Sequence, residues 1–453
     1  MKGLGGPKVE DFRAVADLIA RDIAAGRLRP GDRLPPQRAF AREHGIAGST
    51  AARVYQELTR RGLTVGEVGR GTFVRAADPR PGPALAEPAG SRIDLELNYP
   101  VVPGQAKLLA DGINPLLRTD VLESVMRPVG AAGTASARGV VADLLARGRW
   151  RPDPERLLFA GNGRQAIAAA LSAFVPPGGR LGVEELTYPV LKGIAARAGV
   201  TLVPLRTDAA GLDPADLANA ARKAPLKAVY VQPTMHNPLS ISMPEERRAE
   251  LASVLARLDL LAIEDAIWSF LRDDLPPLAS YAPEHTVLVD SLSKRLAPGL
   301  SLGFAVLPHA AVASVATALR SGGWTPMRFA LEAATRWLSD DTARAVANAK
   351  QQDAAMRQEI AASHLADFAV RSDPRSYYCW WELPAPWRAD TFVAAAARHG
   401  IAVTPGAAFA VGRNSAPNAV RLGLASPPPE TLSRALAVLA GLARSTPDDL
   451  LAE

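Results

Sequence analysis

Three polar side chains follow apolar runs in the middle of the chain, where the strands of a parallel sheet would end. Asn237 follows AVYVQPTMH, Asp265 ends LLAIED, and Lys294 follows TVLVDSLS. Open α/β sheets bind ligands at the carboxyl ends of their strands. A lysine there can form a Schiff base, an aspartate can keep a pyridinium nitrogen protonated, and an asparagine amide can donate to a phenolate oxygen. The ordinary structural alternatives are a helix cap, a turn and an exposed lysine.

Two further features suit the same kind of ligand. Gly161, Asn162, Gly163 and Arg164 precede the helical run QAIAAALSAF, whose first backbone N–H groups could receive a phosphate. Tyr188 follows LGVEEL and offers a ring face for stacking. Taken singly, a loop with two glycines is weak evidence for phosphate binding, and a tyrosine usually packs in the core.

A different chemistry is indicated near the N-terminus. Ser49, Thr50 and Arg53 lie at the start of a predicted third helix, the place from which a helix-turn-helix contacts bases. Arg38 lies near the start of the preceding helix, and Arg70 is at the tip of a predicted hairpin, so both could contact the DNA backbone or minor groove. Taken singly, each arginine is more often a solvated surface charge.

The elements that position these N-terminal residues are three helices and a hairpin. Phe12, Ala16, Ile19 and Ile23 recur at helical spacing, and Gly26 ends that helix. The spacing predicts a second helix over 37–44, a third that is capped by Ser49 or Thr50 and runs to residue 61, and wing strands over 63–68 and 71–75. This arrangement predicts a winged helix-turn-helix.

Charge supports a nucleic-acid partner for this segment. Residues 1–77 contain 14 Lys and Arg against 8 Asp and Glu, whereas the other residues of the 453 contain 38 of each. A basic segment beside a neutral body is typical of nucleic-acid binding.

The single cysteine, Cys379, excludes an intrachain disulfide and a multi-cysteine zinc site, and we expect no metal. Without an apolar signal segment or a membrane-length apolar run, we expect a cytoplasmic protein that does not enter membranes.

The remainder of the chain divides into three predicted parts. Residues 76–92 carry four prolines without apolar periodicity, which predicts a linker after the DNA-binding domain at 1–75. Residues 93–335 alternate helical stretches with β-rich runs at 181, 201, 228, 260, 286 and 302, which predicts an α/β domain with a mostly parallel sheet. Residues 336–453 open with a long polar helix and are predicted to form a small α+β subdomain.

Residues 15–74 closely resemble the winged helix-turn-helix of GntR-type bacterial regulators. The resemblance rests on GRLRPGDRLPPQRAFA, on the stretch from Thr50 to Tyr55 and on the ending GRGTFV. It implies that Arg38, Thr50, Arg53 and Gly71 lie at DNA. The family usually has Ser-Arg just before the recognition helix, where this sequence has Ala-Gly at 47–48.

Residues from about 93 to 445 resemble the fold-type I aminotransferases, which bind pyridoxal 5′-phosphate. The strings are TYP at 187, QPTMHNPLSISMPEERRAEL at 232, IED at 263, DSLSKRLAPGLSLGF at 290 and VRLGLA at 420. The resemblance implies Lys294 as the Schiff-base lysine, Asp265 at the pyridine nitrogen, Asn237 at the phenolate oxygen, Tyr188 on the ring and Arg421 at a ligand carboxylate. With the N-terminal domain, the chain resembles the MocR-type subfamily of GntR regulators.

Two departures from the family pattern bear on the cofactor. Ser301 stands where the family often has an arginine that binds the phosphate, and Arg164 or Arg295 could replace that arginine. Ile267 and Trp268 stand where the family has a tyrosine that contacts the phenolate.

The expected function is therefore a homodimeric, DNA-binding transcription regulator whose large domain binds pyridoxal 5′-phosphate and senses a small amine or amino acid by aldimine exchange. We expect no enzyme, at most vestigial half-transamination. Two alternatives remain: a working aminotransferase with an attached DNA-binding domain, and a regulator whose large domain has lost the cofactor.

Overall fold

The computed structural model describes residues 12–24, 27–29, 31–60, 63–67, 71–74, 93–412 and 416–446. Gly26, Arg70 and the predicted linker at 76–92 lie outside these residues. Within the part of the chain that is described, no helix is long and apolar enough to cross a membrane.

The N-terminal residues form three helices and a small antiparallel sheet of order β1-β3-β2. The elements are α1 (Phe12–Ala24), β1 (Arg33–Leu34), α2 (Gln37–Glu43), α3 (Gly48–Arg60), β2 (Thr64–Glu67) and β3 (Gly71–Val74). The apolar face predicted for the first helix is buried against the other two, with Ala16, Phe40 and Val54 at most 1% exposed. A winged helix-turn-helix is confirmed, with one extra two-residue strand, β1, too short to show a pattern in the sequence.

The start of α3 differs from the sequence prediction. Ser49 and Thr50 do not cap the helix, because they lie inside its first turn. The first helical hydrogen bond runs from the Ala51 N–H to the Ala47 carbonyl over 3.0 Å, so the helix begins at Gly48. Ser49 is consequently exposed on the first turn and Thr50 is half-buried there.

The rest of the chain forms two layered α/β units. Its strands are β4 (Ile93–Asp94), β5 (Leu157–Ala160), β6 (Arg180–Glu184), β7 (Thr201–Leu205), β8 (Thr207–Asp208), β9 (Gly211–Leu212), β10 (Ala228–Val231), β11 (Leu261–Asp265), β12 (Thr286–Ser291), β13 (Gly303–Val306), β14 (Val370–Arg371), β15 (Tyr378–Glu382), β16 (Ile401–Ala402), β17 (Thr404–Pro405) and β18 (Ala419–Gly423). Its helices are α4 (Gln105–Ile113), α5 (Thr119–Val125), α6 (Ala135–Leu145), α7 (Gly163–Phe174), α8 (Pro189–Arg197), α9 (Pro214–Lys223), α10 (Glu245–Leu258), α11 (Leu278–Tyr281), α12 (Leu292–Arg295), α13 (Val312–Ser321), α14 (Arg328–Ser339), α15 (Thr342–Leu365), α16 (Ala389–Arg398) and α17 (Pro429–Arg444).

The larger unit is built on a seven-stranded sheet of order β5-β13-β12-β11-β10-β6-β7. Every pair is parallel except the two that involve β13, so the predicted mostly parallel sheet is confirmed. All six β-rich runs became strands of it. The sequence prediction missed β5, because its four apolar residues, LLFA, do not distinguish a strand from a buried helix segment.

The sheet is buried on both faces, which is why β10 and β12 are apolar almost throughout. A third strand of the sheet, β13, lies close to a loop. A Cβ added at Gly303 on β13 would lie 2.3 Å from the carbonyl carbon of Asn162, so the absence of a side chain lets the loop before α7 pack against β13.

The smaller unit has a four-stranded antiparallel sheet, β14-β15-β18-β17, packed against α15, α16 and α17. The long polar helix predicted near residue 336 instead begins at Thr342, and residues 335 and 336 both lie inside α14. The segment that follows the predicted linker pairs with this unit, since β4 is parallel to β16 and Leu95 is buried among its core residues. The domain boundaries stay predictions.

Candidate functional site

A cavity of about 260 Å³ opens at the carboxyl ends of the central strands. Its wall contains all six residues predicted to bind the cofactor and the residue predicted to bind the effector: Asn162, Gly163, Tyr188, Asn237, Asp265, Lys294 and Arg421. Residues that the sequence analysis did not single out also line it, among them Glu96, Asn98, Tyr99, Gln232 and Phe409. Within the described residues, no group of His, Cys, Asp and Glu is suited to a metal ion.

Lys294 lies on the four-residue helix α12, whose first turn is capped by the Ser291 hydroxyl. Its Nζ atom donates to the backbone carbonyl of Asn98 over 2.6 Å and lies 4.7 Å from the ring centre of Tyr99 and 5.3 Å from that of Trp268. Burial, reinforced by the positive charges of Arg164, Arg421 and Lys350, lowers the pKa of Lys294 to about 7. A neutral, nucleophilic amine is therefore accessible near neutral pH.

Asp265 is the last residue of β11 and is buried. Its Oδ2 atom accepts from the Tyr230 hydroxyl over 2.5 Å and from Gln232 Nε2 over 3.2 Å, and its Oδ1 atom accepts from the Ile267 N–H over 3.1 Å. Burial raises the pKa of Asp265 to about 6, against the opposing effect of these hydrogen bonds. Above that pH the carboxylate is ionised and its three donors hold it in one orientation.

Asn237 and Tyr188 complete the part of the wall around Asp265. The Asn237 N–H donates to Gln232 Oε1 over 3.3 Å, while the buried Asn237 Oδ1 atom has no hydrogen-bond partner among the residues described. The Tyr188 hydroxyl accepts from Arg164 Nε over 3.1 Å, and burial raises the pKa of Tyr188. Both side chains thus present polar atoms to the same space.

The start of α7 forms another side of the cavity. Asn162 caps this helix, its side chain accepting from the Gln165 N–H over 3.0 Å, and Gly163 is the first helical residue. Across from them, the Ser293 hydroxyl, itself in the cavity wall, bonds the Ser301 hydroxyl. The departure at Ser301 thus leaves a pair of neutral hydroxyls where the family often has an arginine.

The two arginines considered as replacements have different surroundings. Arg295 is not among the residues that line the cavity: its Nη2 atom pairs with Asp290 over 3.0 Å, and its guanidinium stacks on Phe270 at 5.2 Å. Arg164 lines the cavity, and no carboxylate lies within ion-pair distance of it in the described parts of the chain. Arg164 is thus in the cavity wall with an unmatched charge, whereas the charge of Arg295 is matched by Asp290, and the choice between them stays a prediction.

Arg421 lies on β18 and is 5% exposed. Its Nη2 atom donates to the backbone carbonyl of Glu96 and, over 3.2 Å, to Thr404 Oγ1, and its guanidinium stacks on Phe409 at 5.5 Å. Burial lowers the pKa of Arg421 to about 10, so the side chain stays charged at neutral pH. Its Nε–H has no partner among the described residues.

The predicted DNA-binding residues are mostly exposed on one domain. Arg38 on α2 and Arg53 on α3 are exposed, and the guanidinium of Arg53 lies 4.1 Å from the ring centre of Phe12. Gly71 begins β3 with φ +124°, a conformation that favours glycine. A Cβ there would lie 2.8 Å from Arg33 Nε, so Gly71 also leaves room for a further arginine.

Comparisons with known proteins match two parts of the chain to two different families. The family described as aminotransferase class I and II matches residues 125–439, and that of bacterial regulatory proteins, gntR family, matches residues 12–74. The chain is similar to the uncharacterized HTH-type transcriptional regulator YdeF of Bacillus subtilis, with 28% identity over 94% of this chain and 93% of the relative. It is also similar to the vitamin B6 salvage pathway transcriptional repressor PtsJ of Salmonella typhimurium, with 26% identity over 88% and 90%.

Among solved structures, the fold is similar to that of the α-aminoadipate aminotransferase LysN from Thermus thermophilus, complexed with N-(5′-phosphopyridoxyl)-L-leucine. The TM-score is 0.68 at 22% identity, covering 80% of this chain and 93% of the other. At that identity the likeness shows the fold alone.

Proposed function

Because the chain belongs to the class I and II aminotransferase family and carries a gntR-family domain at residues 12–74, we propose that it is a DNA-binding transcription regulator that senses a small amine or amino acid. Both resemblances noted in the sequence, and with them the MocR-type architecture, are confirmed. The observation that carries the proposal is that Lys294, Asp265, Asn237 and Arg421 line the same cavity, in a chain that also has a DNA-binding domain.

The cavity residues fit pyridoxal 5′-phosphate. Asn237 places in the cavity wall a side-chain amide that can donate to a phenolate oxygen, Asp265 is a buried carboxylate held by three donors, and Lys294 is a buried amine with a lowered pKa. When bound, this cofactor supplies a carbonyl carbon that accepts a primary amine and a ring that withdraws electrons. Lys294 would hold it covalently, Asp265 would keep a proton on its ring nitrogen, and Tyr188 would cover a ring face.

Arg164 is our choice for the residue that compensates for the missing phosphate arginine. It is the second residue of α7, so its positive charge and the backbone N–H groups at the start of that helix, at Asn162 and Gly163, would attract the same anion. In the wall of the cavity its guanidinium bonds the Tyr188 hydroxyl rather than a carboxylate. A bound phosphate would supply the anion that the side chain lacks.

The contacts of Lys294 and Arg421 suggest how a ligand is sensed. Both side chains donate to backbone carbonyls of one segment, Lys294 to Asn98 and Arg421 to Glu96. A ligand carboxylate bound by Arg421 would replace the Glu96 carbonyl, and the release of Lys294 by a ligand amine would change its contact with Asn98. This segment directly follows the predicted linker to the DNA-binding domain, so a change at the cavity has a covalent path to that domain.

Turnover as an aminotransferase is the alternative. Ile267 and Trp268 occupy the cavity wall where the family has a tyrosine, and the Trp268 ring lies 5.3 Å from Lys294 Nζ. A phenol that could share a proton with the reacting group is thus replaced by an indole. We therefore propose a regulator with at most half-transamination. The chain would act as a homodimer, because two recognition helices then meet two half-sites.

The test uses the full chain with pyridoxal 5′-phosphate and a promoter fragment. Absorbance reports cofactor binding, fluorescence anisotropy reports DNA binding, and keto-acid formation reports turnover. Cofactor binding together with ligand-dependent DNA affinity and no multiple turnover supports the proposal. Sustained turnover with an amino acid and a keto acid would favour the enzyme, and an absence of cofactor binding would favour a regulator that has lost the cofactor.

A further inference from the structure

Three carboxylates line the cavity, and two of them already have partners. Asp265 accepts from Tyr230, Gln232 and the Ile267 N–H. Asp290 accepts from the Ser291 N–H over 2.6 Å and pairs with a buried arginine on α12. These two carboxylates therefore have fixed orientations and matched hydrogen bonds.

The third carboxylate, that of Glu96, has no such partner. Within the residues that the structure describes, no side-chain hydrogen bond and no ion pair within 4.0 Å reaches it, although the residue is half-buried. Burial raises the pKa of Glu96, the neighbouring Asp94 adds to this, and Arg421 opposes it. A partly buried carboxylate without a partner loses hydration and gains little in return. A cationic group on a ligand would give this carboxylate a partner and so offset the hydration that it loses.

The neighbouring acid cannot serve the same purpose. Asp94 Oδ1 accepts from the N–H groups of Glu96 and Leu97 over 2.8 and 2.9 Å, so it shapes the turn that brings this segment to the cavity. Glu96 is thus the carboxylate with unused hydrogen-bonding capacity at this end of the cavity.

The position of Glu96 relates it to both groups that would hold an amino-acid ligand. Its own carbonyl accepts from Arg421, and the carbonyl two residues later, at Asn98, accepts from Lys294 over 2.6 Å. Glu96 therefore lies at the Arg421 end of a short segment whose other end, at Asn98, contacts the reactive amine. Because Glu96, Lys294 and Arg421 line the same cavity, a ligand held by Lys294 and Arg421 shares that space with the Glu96 side chain.

We propose that Glu96 selects an effector with a second cationic group, which makes the effector a diamino carboxylic acid. One ligand amine would take the place of the Lys294 amine on the carbonyl carbon of the cofactor, which releases Lys294 as a free amine; the ligand carboxylate would bind Arg421, and the second ammonium would bind the Glu96 carboxylate. This inference rests on the proposed function, because it assigns a ligand class to the proposed sensor site. An uncharged analogue of the same length would leave Glu96 without a partner and bind more weakly.

The experiment compares matched ligand pairs by calorimetry on the full-length, cofactor-loaded protein. Each pair replaces the second ammonium with a methyl group: L-2,4-diaminobutyrate with L-norvaline, L-ornithine with L-norleucine, and L-lysine with L-2-aminoheptanoate. For at least one pair we expect about a ten-fold to hundred-fold preference for the diamino acid, the range of a hydrogen bond to a charged group. Glu96→Gln should remove most of that preference, because it weakens the binding of the diamino acid and not that of its methyl analogue.

Glu382→Gln is the control, since Glu382 is an exposed carboxylate on β15, outside the cavity. It should keep the wild-type preference. Equal affinity within every pair, a preference for the methyl analogues, no binding of any pair, or a preference that Glu96→Gln leaves unchanged would overturn the inference. The proposed function fails separately, when the wild-type protein binds no cofactor or when no amine alters its DNA affinity.

Discussion

The Nζ atom of Lys350 lies 2.9 Å from the backbone carbonyl oxygen of Lys294, so one buried lysine supports the helix that carries another. Lys350 also donates to the carbonyl of Leu296, and its side chain is fully buried on α15. Burial lowers the pKa of Lys350 to about 7, with Asp353 opposing the shift. Lys350 thereby fixes the carbonyl end of α12, and its charge helps to lower the pKa of Lys294.

Lys294→Ala should abolish covalent attachment of pyridoxal 5′-phosphate, because the proposed nucleophile is removed. Borohydride reduction followed by peptide mass spectrometry measures this: the wild-type protein should retain the cofactor on the Lys294 peptide and the variant should not. Lys107→Ala, on α4 and outside the cavity, is the control and should behave as wild type. An adduct of undiminished yield in Lys294→Ala would show that another lysine is the anchor.

Attachment should depend on pH with a midpoint near the pKa of Lys294, which is about 7. Only the neutral amine attacks a carbonyl, so the rate of attachment should rise as pH increases through 7 and level off above it. For a lysine with an ordinary pKa the rise would continue to about pH 10.4. Stopped-flow absorbance of cofactor-free protein mixed with the cofactor measures the midpoint.

Lys350→Met tests the electrostatic part of this shift. Removing the charge should raise the pKa of Lys294 and move the midpoint to higher pH. Lys192→Met is a matched control, because Lys192 also donates to two backbone carbonyls, those of Ala408 and Ala410, both over 2.9 Å, but does not act on Lys294. The control should keep the wild-type midpoint. The same midpoint in both variants would limit Lys350 to a structural role.

The sequence located the cavity residues on the central sheet because each follows an apolar run. Asn237, Asp265 and Lys294 stand after β-rich runs, and the carboxyl ends of parallel strands meet at one edge. The positions of Glu96, Asn98 and Tyr99 were not predictable in this way. They come from a segment 196 residues before Lys294, without periodicity. The pairing of β4 with β16, and hydrogen bonds such as that from the Gly423 N–H to the Leu95 carbonyl, bring this segment to the cavity.

Tyr230 was missed for a different reason. It lies inside the run AVYV and therefore resembles a core residue, yet its hydroxyl bonds Asp265 over 2.5 Å. One signal was available: a buried phenol needs a hydrogen-bond partner, and Tyr230 pairs with Ile263, two residues before the aspartate on the neighbouring parallel strand. Side chains two residues apart on a strand point to the same face of the sheet, so Ile263 and Asp265 share a face and Tyr230, opposite Ile263, lies on that face too.

Arg164→Gln should weaken cofactor binding by about ten-fold or more, since a charged hydrogen bond to phosphate is lost. Ser301→Arg in the Arg164→Gln background should recover much of the affinity by restoring a cation at the position where the family has one. Equilibrium dialysis of the cofactor measures both. Arg164→Lys should retain part of the affinity, because it keeps the charge. Wild-type affinity in Arg164→Gln would mean that the phosphate is held without this side chain.

DNA binding should weaken with salt, with a log–log slope of about −0.9 for each phosphate neutralised. Arg38→Ala and Arg53→Ala should each cost roughly 1 to 3 kcal/mol if the side chain contacts a base, and should reduce the salt slope by about one if it contacts a phosphate. Arg53→Lys separates charge from the stacking on Phe12, because lysine keeps the charge without the planar group. Anisotropy titrations at several salt concentrations measure all three, and salt-independent binding would contradict the assignment of the interface.

Signalling should be reciprocal between the cavity and the DNA-binding domain. An effector can change DNA affinity only through a difference in its own affinity for two conformations of the protein. We therefore expect a coupling of about 1 to 3 kcal/mol, with operator DNA changing effector affinity by the same factor as effector changes DNA affinity.

Titrating the effector with and without saturating operator measures one direction of this coupling, and titrating the operator with and without effector measures the other. Arg421→Lys should weaken effector binding, because lysine lacks the planar guanidinium that binds a carboxylate through two parallel hydrogen bonds. Equal effector affinity with and without operator, for an amine that demonstrably binds, would show that the cavity does not control the DNA-binding domain.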